Sequence, residues 1–200
     1  SASLLLSSTT IDVDSSVTLT ATTTDTSSGL ASVTFTVPCG TISAPHPVSL
    51  NGETTEQSVQ RTWTVPPECR TLGSQNVSVA VADQSTHSAD GSASVQVTLR
   101  DQQAPTVAWD NPPAQVNLSQ GATLGVTVSD ASSGVASVSF SLAQQAQGAL
   151  APTSRSIAGA PTSGSTTTTL SLAPTLTHGT NVTVQTQAQD VAGNNSALVP

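Results

Sequence analysis

Apolar and hydroxyl side chains alternate along most of this chain. Val17, Leu19 and Ala21 are separated by Thr18 and Thr20, and Ala31, Val33, Phe35 and Val37 by Ser32, Thr34 and Thr36. The same period of two recurs at Val59 to Val65, at Val77, Val79 and Val81, and at Val95, Val97 and Leu99. Further on it appears at Leu124, Val126 and Val128, at Ala136, Val138, Phe140 and Leu142, and at Val182 and Val184. Gly, Asn, Asp and Pro punctuate the runs. A period of two bounded by turn residues predicts strands with one buried and one wet face. Thr suits the wet face because it is β-branched yet polar. Almost no stretch is free of β-branched residues, Gly and Pro, so no helix is expected. The pattern predicts an all-β chain.

The pattern also repeats. Ile11 to Phe35 aligns without gaps on Val116 to Phe140, and eleven of the 25 pairs are identical. From Asp25 and Asp130 the match sharpens to eight in eleven, and the same offset sets Asn76-Val77-Ser78-Val79 beside Asn181-Val182-Thr183-Val184. Two copies of one unit are expected, over residues 1–100 and 101–200. About seven short strands in each point to a two-sheet antiparallel sandwich of immunoglobulin-like type.

Composition narrows the function. The chain has 31 Ser, 32 Thr, four aromatics and no Lys, Tyr or Met. Its net charge is −8. Four Arg offer no surface for phosphates, which excludes nucleic acid as a partner. No apolar run is long enough to span a membrane as a helix. A first residue of Ser rather than Met fits a processed or excised piece.

The two cysteines, Cys39 and Cys69, both fall in the first copy. Their spacing does not fit a zinc site, which draws on four closely grouped ligands. Each follows a predicted strand, so both fall near one end of the sandwich, where a disulfide would staple two loops. A bridge of this span contributes about 3–4 kcal/mol in the chain-entropy account, and it implies an oxidising compartment. Two free buried thiols are the alternative.

Three motifs carry a resemblance. Asp101-Gln102-Gln103-Ala104-Pro105-Thr106-Val107 opens the second copy, Asp130-Ala131-Ser132-Ser133-Gly134-Val135 forms an early turn, and Gln189-Asp190-Val191-Ala192-Gly193-Asn194-Asn195 closes it. Together they resemble the tandem bacterial immunoglobulin-like modules of cell-surface proteins, of surface-layer (S-layer) or adhesin type. The resemblance covers residues 101–200. Over residues 1–100 it is weaker, because Asp83 to Gly91 replaces the compact closing turn. There is also no Tyr for a tyrosine corner and no Cys on the paired central strands. The resemblance implies an extracellular, non-catalytic spacer or scaffold in a surface layer, adhesin stalk or fibre. Neighbouring copies or further modules of the same surface protein would be its partners. The last predicted strand, Ser196 to Pro200, is short beside Ser92 to Arg100, as if the chain continues or a neighbour completes the sheet.

Most Asp residues sit at strand ends. In a sandwich of this type Asp130, Asp190 and Asp101 converge at one end, with Asn194 nearby. Three carboxylates and an amide oxygen on loops suit calcium, which takes six to eight oxygens in irregular geometry. An ion there would also clamp the junction. Asp25, Asp83 and Asp90 are the weaker counterpart in the first copy. Turn chemistry alone accounts for the same residues and is the simpler reading: Asp at the head of Ser-Ser-Gly accepts backbone hydrogen bonds without a metal. No linear Asp-x-Asp-x-Asp-Gly calcium loop is present.

No catalytic constellation emerges. His46 lies between two prolines and His178 before Gly179, both read as solvated loop residues. His87-Ser88-Ala89-Asp90 lines up catalytic residue types within one loop, whereas a triad converges from separate elements. No nucleophile elbow, zinc-protease motif or phosphate loop occurs. The expectation is no enzyme activity. The alternative reading is an adhesive or carbohydrate-binding module of a secreted or surface protein. It requires an exposed aromatic platform, and both Trp63 and Trp109 fall on predicted inner faces.

Overall fold

The computed structural model describes residues 1–85 and 91–200, Glu53 by its backbone alone. Contacts divide the chain into two compact units, Ser1–Asp101 and Gln102–Pro200. Each has its own apolar core between two sheets.

The first unit contains β1 (Ala2–Leu6), β2 (Thr10–Asp12), β3 (Ser15–Thr23), β4 (Leu30–Thr36), β5 (Thr41–Ile42), β6 (Val48–Glu53), β7 (Gln57–Val65), β8 (Gly73–Asp83) and β9 (Gly91–Arg100). One sheet runs β1-β3-β7-β5 and the other β2-β9-β8-β4-β6. Neighbours are antiparallel except β2, which lies parallel to β9. The alternation predicted for β3 is realised: Val17, Leu19 and Ala21 are buried while Thr18 is exposed. Trp63 faces Val17 across the β3–β7 ladder and is fully buried. Burying each such aliphatic side chain contributes about 1.5–3 kcal/mol against the entropy of ordering the strand.

The second unit contains β10 (Thr106–Asp110), β11 (Ala122–Ser129), β12 (Val135–Leu142), a short 3-10 turn at Gln145–Gln147, β13 (Gly148–Ala151), β14 (Ser154–Ser156), β15 (Ser163–Leu172) and β16 (Val184–Asp190). Its sheets run β10-β11-β15-β13 and β14-β12-β16. The chain path is shared. From β4 it crosses to the edge of the other sheet as β5, returns to pair with β4 as β6, then enters β7. From β12 it does the same through β13 and β14 before β15.

Two details depart from strict alternation. Both β4 and β12 carry a bulge at their start, between Leu30 and Ser32 and between Val135 and Ser137. The extra residue turns Leu30 and Val135 inward along with Val33 and Val138, and all four are buried. The pairing of Asn76–Val79 with Asn181–Val184 also shifts. Val33 lies opposite Val81, but its counterpart Val138 lies opposite Ala188, two positions beyond the sequence offset. A slip of two leaves every side chain on its original face, so the sequence pattern does not register it.

Candidate functional site

Asp130 follows the last residue of β11. Its Oδ1 accepts the N–H groups of Ser132 at 3.2 Å and Gly134 at 2.7 Å, and the Ser133 hydroxyl at 3.5 Å. The turn closes through Gly134, which has φ of 83°. Gly29 occupies the same place in the first unit, also at 83°, and a Cβ there would come within 2.3 Å of the Gly52 carbonyl oxygen. The repeated Asp-x-Ser-Ser-Gly therefore encodes one backbone bend twice.

Asp190 ends β16, directly opposite Val135. Its Oδ1 accepts the Asn194 N–H at 2.7 Å and its Oδ2 accepts the Asn194 Nδ2–H at 2.8 Å. Asn194 Nδ2 also donates to the Gln103 carbonyl at 3.2 Å, and the Val191 N–H reaches the Gly134 carbonyl at 2.9 Å. The two turns and the start of the unit are thereby tied together. Asn194, expected to offer an amide oxygen to an ion, instead presents its amide nitrogen to Asp190 and orients that carboxylate.

Within the second unit, one carboxylate oxygen of Asp130 and one of Asp190 lie within 4.8 Å of each other. The two residues are 5% and 2% exposed. Two carboxylates gathered away from water repel one another unless hydrogen-bond donors, protons or a cation offset the charge. An all-oxygen donor set of this kind fits a hard divalent cation such as calcium.

The first unit's corner is arranged differently. Asp25 Oδ1 accepts the Ser27 N–H and hydroxyl, both at 3.1 Å. The Ser28 hydroxyl lies 3.1 Å from Asp25 Oδ2 and 3.0 Å from Asp83 Oδ2, bridging the two carboxylates. Asp83 also accepts the Ser85 N–H at 3.0 Å and the Ser85 hydroxyl at 2.8 Å. The Ser27 N–H holds the Asp25 carboxyl below its ordinary range against desolvation, which acts in the other direction, and the Ser28 and Ser27 hydroxyls and the Gly29 N–H add to the lowering. Protonating Asp25 in acid removes the charge those donors stabilise, so this turn loosens as the pH falls through that lowered range. Asp25 and Asp83 are half-buried, and no third acidic ligand joins them among the described residues. Asp90 and His87 lie outside the described residues.

Cys39 and Cys69 form a disulfide with Cα atoms 6.1 Å apart. The Trp63 indole N–H donates to the Cys39 carbonyl at 2.8 Å, so the bridge and the deepest aromatic are joined. Trp109 is half-buried rather than fully inside, and its ring meets Phe140 at 6.2 Å between centroids. His178 is exposed. His46 is half-buried and accepts the Phe35 N–H at Nε2, which corrects its reading as a solvated loop residue. The only sequence sign of that role is the pair of flanking prolines.

No family model matches this chain, and no curated protein matches it. Among solved structures it is similar to the YadV chaperone at 14% identity, with 96% of each chain covered and a TM-score of 0.31. A Porphyromonas gingivalis protein of unknown function aligns at 12% identity over 96% of each chain, TM-score 0.34. The sialic acid binding region of a Streptococcus sanguinis adhesin aligns at 12% identity over 98% of this chain and 75% of that one, TM-score 0.33. At such scores the likeness ends at β-rich architecture.

Proposed function

We propose that this chain is a non-catalytic structural segment of a bacterial cell-surface assembly. It consists of two tandem immunoglobulin-like sandwiches acting as spacer or scaffold, the second holding calcium on Asp130 and Asp190. The observation that carries this reading is the repetition of one strand path with one Asp-x-Ser-Ser-Gly corner in both units. Repeated modules of small, regular strands lengthen a chain without requiring a site in each. The disulfide supports an oxidising location outside the cytoplasm. Neither tryptophan favours a sugar platform, since Trp63 is fully buried and Trp109 packs on Phe140.

Calcium would offset the repulsion of the two buried carboxylates, with Asn194 fixing the Asp190 rotamer. Binding to the folded state alone stabilises by about 2.7 kcal/mol when free calcium is a hundred times the dissociation constant. The test is calorimetric melting of the 200-residue chain in calcium and in chelator, with Asp190→Asn alongside. Calcium should raise one transition, and Asp190→Asn should abolish that rise while the other transition stays. An unchanged thermogram would overturn the calcium assignment. Saturable binding to a glycan panel would overturn the spacer reading.

A further inference from the structure

His46 lies in the connection between β5 and β6, with Pro45 and Pro47 on either side. β6 pairs with β4 through Ser49 opposite Ser32 and Val48 opposite Val33, and the ladder stops there. Phe35, two residues further along β4, therefore has no β6 residue opposite it. Its N–H instead donates to His46 Nε2 at 2.9 Å, and the imidazole stacks on the Phe35 ring at 6.2 Å and 30°. The side chain replaces the carbonyl that a longer β6 would supply.

That replacement depends on protonation in a way a carbonyl does not. Only an unprotonated Nε2 has the lone pair that accepts an N–H. A protonated ring sets one N–H against another. It also adds positive charge near Arg61 of β7, whose Nε donates to the Pro45 carbonyl at 2.9 Å. β4 and β5 carry no ionisable side chain, and Glu53 of β6 and Asp83 of β8 both pair with Leu30, five residues along β4 from Phe35. We infer that His46 is a pH-responsive latch, whose neutral imidazole fastens the His46 end of the β5–β6 connection to β4 and whose protonation releases that contact.

The experiment is amide hydrogen exchange by NMR on the whole chain at about pH 7.5 and about pH 5, on either side of the ordinary histidine range. After correction for intrinsic rates, protection at the Phe35 amide should fall about tenfold or more on acidification, with Val33 and Val79 unchanged. In His46→Gln, which keeps an acceptor but does not titrate, that fall should vanish. Protection at Phe35 that is flat with pH in the wild type would overturn the latch, as would an equal fall in His46→Gln. Should the variant not fold, the nitrogen-15 shift of His46 Nε2 in the wild type decides. It must report a bare lone pair at the higher pH and a proton at the lower, moving together with Phe35 exchange; a shift that does not follow Phe35 overturns the proposal.

Discussion

Eighteen apolar side chains are buried in the first unit's core and nine in the second's, among the described residues. Among the described residues buried polar groups divide the other way, with Thr23 and Asp101 in the first unit and Asp130, Ser132, Ser133, Thr168, Thr186, Asp190 and Ser196 in the second. One strand path is thus held together by two different means. In the first unit β9 runs along β8 for nine residue pairs, and β2 adds Ile11 beside Leu99. In the second, residues 191–200 meet β16 at two isolated bridges, and Val182 and Val184 stay half-buried. Where apolar area is scarce, backbone and carboxylate hydrogen bonds fix the corner instead. Such bonds contribute about 1 kcal/mol each but position atoms closely.

The sharpest way to break this contrast is Trp63→Ala. Deleting a fully buried indole should cost the first unit about 3–5 kcal/mol. One calorimetric transition should drop or disappear and the other keep its midpoint; movement of both would deny that the two cores are independent. Next in size is the disulfide. Reduction, or Cys39→Ser with Cys69→Ser, should lower the same transition by about 2–4 kcal/mol. A disulfide-free chain that melts like the oxidised one would show that the core alone sustains the first unit. The smallest effect has the opposite sign. Thr23 is fully buried and its hydroxyl has no hydrogen-bond partner among the described residues, whereas the aligned position in the second unit is Val128. Thr23→Val should therefore stabilise the first unit by about 1 kcal/mol, read as a higher urea midpoint with an unchanged slope. A loss of stability would mean that the Thr23 hydroxyl has a partner in solution.

Much of the fold was legible in the residue pattern. Strands β3, β4, β7, β8, β9, β11 and β12 follow from side chains alternating against one core, a signal that survives in sequence because each inward position must be apolar. The short edge strands β2, β5, β13 and β14 were not legible. Two to four residues pairing at a sheet margin bury too little to impose a pattern. Leu30 and Val135 were read outside the alternating sets because a bulge is a backbone event. Nothing in Leu30-Ala31-Ser32 announces which residue is the extra one.

The candidate site divides in the same way. The Asp-x-Ser-Ser-Gly bend was determined by the sequence alone, because its hydrogen bonds run between residues two to four apart and its glycine adopts a conformation other residues resist. The alternation of Val, Leu and Thr likewise determined the all-β character, since a period of two can bury one face only in a strand. The convergence of Asp130 and Asp190 was expected from a sandwich, whereas tertiary structure alone decided that both are buried, that Asn194 turns its nitrogen to Asp190 and to the Gln103 carbonyl, and that His46 caps β4. Those arrangements depend on which strand ends the two sheets bring together across tens of residues, and no local pattern encodes that distance.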